Sequence, residues 1–217
     1  MERSSILAHR GLFLSESEKN SPKALSRALE DGCGIETDLR DLDGTVVISH
    51  DPPRGSPMPP SFDWLLEQIR SSSCNGRIAL NIKSDGLSEL VGSMIQTGGT
   101  DTNRFFVFDM SVPDSLSYLK GVIPVYSRIS DYEPMPAFLE KAKGIWVDDF
   151  SGSFPQVERA KDLIAKGVRV TIVSPELHRR DHTSLWNEIK ETELYLSPLF
   201  EICTDFPLEA ANQFCKA

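Results

Sequence analysis

Short β-branched and aromatic runs alternate with longer amphipathic stretches along the whole chain. The short runs predict strands over Ser5–Ala8, Gly34–Thr37, Arg77–Ile82, Arg104–Phe108, Val122–Tyr126, Gly144–Val147, Arg169–Val173 and Phe200–Cys203. Helices are expected over Ser21–Glu30, Ser61–Arg70, Leu87–Thr97, Pro113–Leu119, Pro136–Lys143, Phe154–Lys166, Ser184–Glu191 and Pro207–Cys215. Several boundaries carry a mechanism. Ser21-Pro22 supplies a cap and a first-turn proline and Gly32 follows that helix, while Ser153 and Pro155 open the sixth helix and Gly167 closes it.

Strand followed by helix, eight times over, describes a parallel sheet covered by helices. In 217 residues this fits a (β/α)8 TIM barrel forming a single domain over 1–217 with tight loops. An open doubly wound sheet is the alternative, but it needs a glycine-rich turn after the first strand, and "HRGLFLSESEKN" has one glycine.

A barrel of this kind carries its active site at the C-terminal strand ends. The first expected strand runs into His9-Arg10-Gly11, the second into Glu36-Thr37-Asp38 and the third into Asn81-Ile82-Lys83. Residues two apart in a strand share a face, which pairs Glu36 with Asp38 and Asn81 with Lys83. Asp43-Gly44 reads as a turn, Thr45–Ile48 as a short extended run, and His50-Asp51 lies where that run returns. Asp41 and Asp43 are read as turn residues, since they miss the calcium-loop spacing.

Two adjacent half-buried carboxylates repel and lose solvation. A divalent cation between Glu36 and Asp38 would turn that repulsion into attraction, and oxygen donors favour magnesium, calcium or manganese. Pairing of the two acids with Arg10, Arg40 or Lys83 is the competing reading. Imidazole as a side chain suits proton transfer near neutral pH, so His9 and His50 could form an acid/base pair about a phosphorus centre, although either alone could be a packing or capping histidine.

Composition narrows the partners. A net charge of −9 argues against nonspecific binding to nucleic acid or to an anionic membrane surface. Only four apolar residues precede His9, far short of a secretion signal, and no window approaches 18 uninterrupted apolar residues, so the expectation is a cytoplasmic protein with no membrane span. Cys33, Cys74, Cys203 and Cys215 show no metal or redox spacing and are read as reduced thiols. Trp64 and Trp186 are read as packing residues, Trp146 and Asp109 as possible pocket residues, and Asp205 as the cap of the last helix with Pro207 opening it.

The segments "AHRG", "NS", "IETDLRDLDGTVVISHD", "LNIK" and "CTDFP" occur in this order and together resemble the glycerophosphodiester phosphodiesterase family of barrel phosphodiesterases. The resemblance implies an acid/base pair in His9 and His50, phosphate contacts from Arg10 and Lys83, and metal ligands in Glu36 and Asp38. It also implies a magnesium or calcium cofactor and a small-molecule phosphodiester substrate in lipid metabolism.

The departures are specific. Lys19-Asn20-Ser21 stands where most members have an acidic "ENT", and the third acidic metal ligand has become Asn81. The usual tryptophan motif after the seventh strand is replaced by "VSPELHRRDH", which places Glu176, His178, Arg179 and Arg180 near the mouth, as contacts for a larger or more anionic substrate or as a solvated loop. Loss of an acidic ligand motivates the alternative of a barrel that binds an anionic ligand without turnover. A carboxylate-pair glycosidase is a further alternative that leaves the histidines without a role.

Overall fold

Four consecutive buried residues, Ile6–His9, form β1 in the middle of a parallel sheet. The structure is a computed structural model describing residues 1–54 and 56–215. The other parallel strands are β2 (Gly34–Leu42), β4 (Ile78–Ile82), β5 (Phe105–Phe108), β6 (Tyr126–Ile129), β7 (Gly144–Val147), β8 (Arg169–Val173) and β9 (Phe200–Thr204). They run in the order β5-β4-β2-β1-β9-β8-β7-β6. A single parallel bridge between Val107 and Val125 brings the two edges together, so the sheet is a nearly closed (β/α)8 barrel, as expected.

Helices α1 (Pro22–Asp31), α2 (Phe62–Ser71), α3 (Ser88–Thr97), α4 (Val112–Tyr118), α5 (Gln156–Ala165), α6 (Thr183–Glu191) and α7 (Pro207–Phe214) alternate with the strands. The Ser21 hydroxyl accepts from the Ala24 amide at 3.2 Å, Pro22 occupies the first turn, and Gly32 ends α1 at φ 83°. Ser61 caps α2 in the same way through the Trp64 amide.

The apolar face of each strand that points outward packs on the helices. The inward set, including Leu7, Ala79, Phe106, Phe108, Tyr126, Trp146, Val173 and Cys203, fills the lumen. Phe108 and Trp146 stack at 4.0 Å, and Phe106 and Tyr126 at 3.9 Å. Near the N-terminal strand ends, buried Glu201 accepts from Thr171 Oγ1 at 2.8 Å and pairs with Arg77 at 3.3 Å and Arg169 at 3.4 Å. All four cysteines are free thiols, and Trp186 is buried in the core, as expected.

Several expectations are corrected. β2 continues past Thr37 to Leu42 and forms a hairpin with β3 (Thr45–Ile48), so Asp41 is a strand residue paired with Val46 while Asp43-Gly44 makes the turn. Both turn residues have positive φ, 49° and 80°, which suits a two-residue hairpin. The strand expected over Val122–Tyr126 starts at Tyr126, because Pro124 has no amide to give a ladder and Ser127–Ile129 pair with β7. No helix forms over 136–143. Phe138, at φ 60°, breaks the helical path and leaves a single turn that passes the chain directly from β6 to β7. α5 starts at Gln156 with no side-chain cap from Ser153, whose hydroxyl bonds Ser151 instead.

Candidate active site

β1 delivers His9 to the C-terminal end of the barrel, and the chain then turns through Arg10 at φ 56° and Gly11 at φ 87°. A side chain on Gly11 would meet the Ala24 carbonyl carbon at 2.6 Å, so the turn rests directly on α1 and requires glycine. Arg10, a non-glycine residue in the left-handed region, costs about 1–3 kcal/mol and is held by the bond from its amide to the Glu36 carbonyl at 2.9 Å.

His9 Nδ1 lies 2.6 Å from Asp205 Oδ1, and Lys19 Nζ lies 3.1 Å from the other oxygen of that carboxylate. A carboxylate only accepts, so Nδ1 carries the proton and Nε2 is left as a base, 3.9 Å from Glu36 Oε2. Burial pushes the Asp205 carboxyl upward, but the hydrogen bond and charge of His9 together with Lys19 outweigh it and hold the acid below its ordinary value. Asp205 therefore orients His9; its expected role as cap of α7 is not realised, since α7 has no side-chain cap.

The strand pairing places Glu36 beside His9 and Asp38 beside Asn81. Both acids are buried. Asp38 Oδ2 accepts from Asn20 Nδ2 at 2.8 Å and pairs with Arg10 Nε at 2.9 Å, out of line for a hydrogen bond. Lys83 Nζ approaches Asp38 Oδ1 at 3.5 Å. The competing ion-pair reading is thus partly realised at Asp38, through Arg10 and Lys83, while Arg40 turns away and donates to the His50 carbonyl at 2.9 Å.

Burial raises the Glu36 carboxyl, the charge of Asp38 adds to this, and His9, Arg10 and Lys83 oppose it. Asp38 Oδ1 and Asn81 Oδ1 are buried and make no hydrogen bond. Asn81 donates to Asp109 at 3.4 Å, which turns its amide oxygen free. Buried, unsatisfied oxygens on paired strands beside a carboxylate of raised affinity for protons are a donor set that fits a hard cation. Among the described residues no three His, Cys, Asp or Glu side chains make such a site by themselves; here the third donor is an amide.

His9, Arg10, Glu36, Asn81, Lys83 and His50 line one cleft of about 500 Å³, with Asp38 beneath its floor. His50 follows β3 and pairs with Asp51 at 2.9 Å, both side chains largely exposed at 45% and 88%. The opposite wall carries Trp146, Asp148, Phe150, Glu176, His178 and Arg179. Trp146 and Asp109 line the cleft as expected. Arg180 is not among its lining residues and pairs with Asp149 at 3.0 Å.

Lys19, Arg128, Asp148 and Asp205 also line the cleft and escaped the sequence reading as site residues. Arg128 could have been found. It is two residues from the inward Tyr126 and so shares its face, but the expected strand stopped at Tyr126.

Fold and cleft together define a (β/α)8 barrel with a charged site at the C-terminal strand ends. Among solved structures it is similar to a proposed glycerophosphodiester phosphodiesterase from Galdieria sulphuraria, with TM-score 0.76 and 16% identity over 98% of each chain. A glycerophosphodiester phosphodiesterase from Agrobacterium tumefaciens aligns with TM-score 0.66 and 16% identity over 94% of this chain and 96% of the other. A Ca2+-dependent phosphatidylinositol-specific phospholipase C from Streptomyces antibioticus gives 0.55 and 12% over 94% of each. No protein-family model and no curated protein sequence matches the chain.

Proposed function

We propose that the protein is a phosphoric diester hydrolase acting on small glycerophosphodiester-like substrates with the help of a divalent cation. One observation carries the reading: His9, fixed by Asp205, presents a free Nε2 beside buried Glu36 in a cleft that also holds Arg10 and Lys83. The similarity to two glycerophosphodiester phosphodiesterase structures over nearly the whole chain supports it.

Arg10 and Lys83 would bind the phosphate and offset charge on its nonbridging oxygens. His9 Nε2 would take the proton of the attacking oxygen, with Asp205 stabilising the imidazolium that results. His50 is the second imidazole available to move protons. Glu36, Asp38 and Asn81 would hold magnesium or calcium, which when bound withdraws charge from the phosphoryl oxygens. The amide of Asn81 gives one negative charge fewer than a third carboxylate, so the ion is held more weakly.

The ion pairs of Asp38 with Arg10 and Lys83 favour a second reading, a barrel that binds a phosphodiester without hydrolysing it. Turnover separates the two. EDTA-treated protein resupplied with Mg2+ or Ca2+ should hydrolyse bis(p-nitrophenyl) phosphate and glycerophosphodiesters, and His9→Ala or His50→Ala should lower the rate by about two decades or more with the fold intact. Binding of glycerophosphodiester without product in any divalent cation would establish the second reading, and full activity in EDTA would remove the cation.

A further inference from the structure

A separate cavity opens at the end of the barrel opposite the cleft. It has a volume of about 340 Å³ and is bounded by residues that stand where strands begin: Arg77 before β4, Asn103 before β5, Tyr126 as the first residue of β6 and Lys143 before β7. The seam between β5 and β6 runs into it, where the bridge between Val107 and Val125 replaces a full ladder. Leu119, Val122 and Ile123 supply an apolar wall, and Lys141 joins Arg77 and Lys143 among the polar residues. Among the described residues no acid lines the space, although the chain has 32 Asp and Glu against 23 Lys and Arg, so the positive lining runs against the composition.

Two groups in this lining lack the partners that their burial calls for. Tyr126 is 2% exposed and stacked on Phe106 at 3.9 Å, and among the described residues its buried hydroxyl makes no hydrogen bond. The phenol end stands at the start of β7, since a methyl added to Gly144, the neighbour of Lys143, would meet Tyr126 Cζ at 2.2 Å. Arg77 is held over the rings of Phe106 and Tyr126, with its guanidinium carbon 5.0 and 5.4 Å from their centroids. Its buried Nε lies 3.3 Å from Glu201 Oε1, out of line for a hydrogen bond, and Glu201 divides its one charge between Arg77 and Arg169. Lys141 and Lys143 are exposed. The cavity therefore combines uncompensated positive charge, an orphaned donor and an apolar wall.

We propose that this cavity is a binding site for a small alkyl phosphate monoester, distinct from the cleft and independent of the phosphodiesterase reading. A phosphate monoester carries a charge of about −1.5 to −2 at pH 7, which Arg77, Lys141 and Lys143 oppose. The Tyr126 hydroxyl donates to one of its oxygens and gains the partner it lacks, and the alkyl part lies against Leu119, Val122 and Ile123. A carboxylate brings a single charge and leaves part of the positive lining unopposed. Because its contacts precede β4 on one side of the seam and β7 on the other, the occupant braces the barrel where its ladder is weakest.

n-Hexyl phosphate is the probe. Arg10 and Lys83 give the cleft a phosphate affinity of its own, so amide NMR shifts separate the two events: Gly121 and Gly144 report on the cavity and Gly11 on the cleft. Hexyl phosphate should shift Gly121 and Gly144 saturably. The double variant Lys141→Gln with Lys143→Gln, and separately Tyr126→Phe, should each weaken the Kd read at those amides about tenfold or more while the Gly11 response stays as in wild type. Inorganic phosphate and hexanoate should bind there more weakly than hexyl phosphate, and hexanol more weakly still. Shifts confined to Gly11, a Kd unchanged in the lysine double variant, or hexanoate or hexanol binding as tightly as hexyl phosphate would overturn the assignment.

Discussion

Asp205 reaches His9 from 196 residues away in the chain and is the clearest case of a site residue with two local readings. "TDFP" suits a helix cap, and nothing near it in sequence points to an imidazole. The carboxylate's lowered proton affinity makes a signed prediction. Its ionised form stabilises the fold above the unfolded aspartate value, about 3.9, and that contribution is lost as pH falls through the depressed folded value. The stability gap between wild type and Asp205→Asn, followed by thermal melting, should therefore be full near neutral pH and close below about pH 4. The same variant should lose on the order of 10²-fold in kcat, since the ring loses the partner that fixes its tautomer. By contrast His9, Glu36, Asp38, Asn81 and Lys83 were legible, because period-two spacing at strand ends forces them onto one face in any parallel barrel.

At the scale of elements, the strands that were read correctly are those buried on both faces. Gly144–Val147 and Arg169–Val173 match residue for residue, whereas β6 slipped because half of it is polar: Arg128 is lumen wall, and Ser127, on the opposite face, donates its hydroxyl to the Ala137 carbonyl. The failed helix at 136–143 shows the complementary error: its apolar spacing is helical, yet a left-handed Phe138 and the prolines before it set the path. Strand β7 also explains a glycine that no turn requires. A methyl at Gly144 would fall inside the Tyr126 ring of the neighbouring strand. Gly144→Ala should destabilise the barrel by about 1–3 kcal/mol, measured by urea unfolding, through overpacking of the lumen.

Across the whole molecule the two ends of the barrel divide the work, with the cleft at the C-terminal strand ends and Glu201 with its two arginines at the other. Burial outweighs Arg77 and Arg169 and raises the Glu201 carboxyl. A raised acid contributes most stability below its unfolded value, about 4.3, and loses it as pH rises through the folded value. The melting temperature of wild type relative to Glu201→Gln should therefore decline as pH is raised from about 4, while kcat/KM on any substrate of the cleft is the same in both. Among the described residues no helix is long and apolar enough to cross a membrane.

Among the described residues, the passage from β6 to β7 is the one crossover in the barrel with no helix of its own, and it carries Tyr132 and Met135 almost fully exposed. Elsewhere the length of a connection is set by the rise of the helix it contains and by the shell that helix joins. Here neither constraint applies, so this is the position from which the architecture can grow: extra sequence grafted at the exposed Met135 would extend outward beside the cleft.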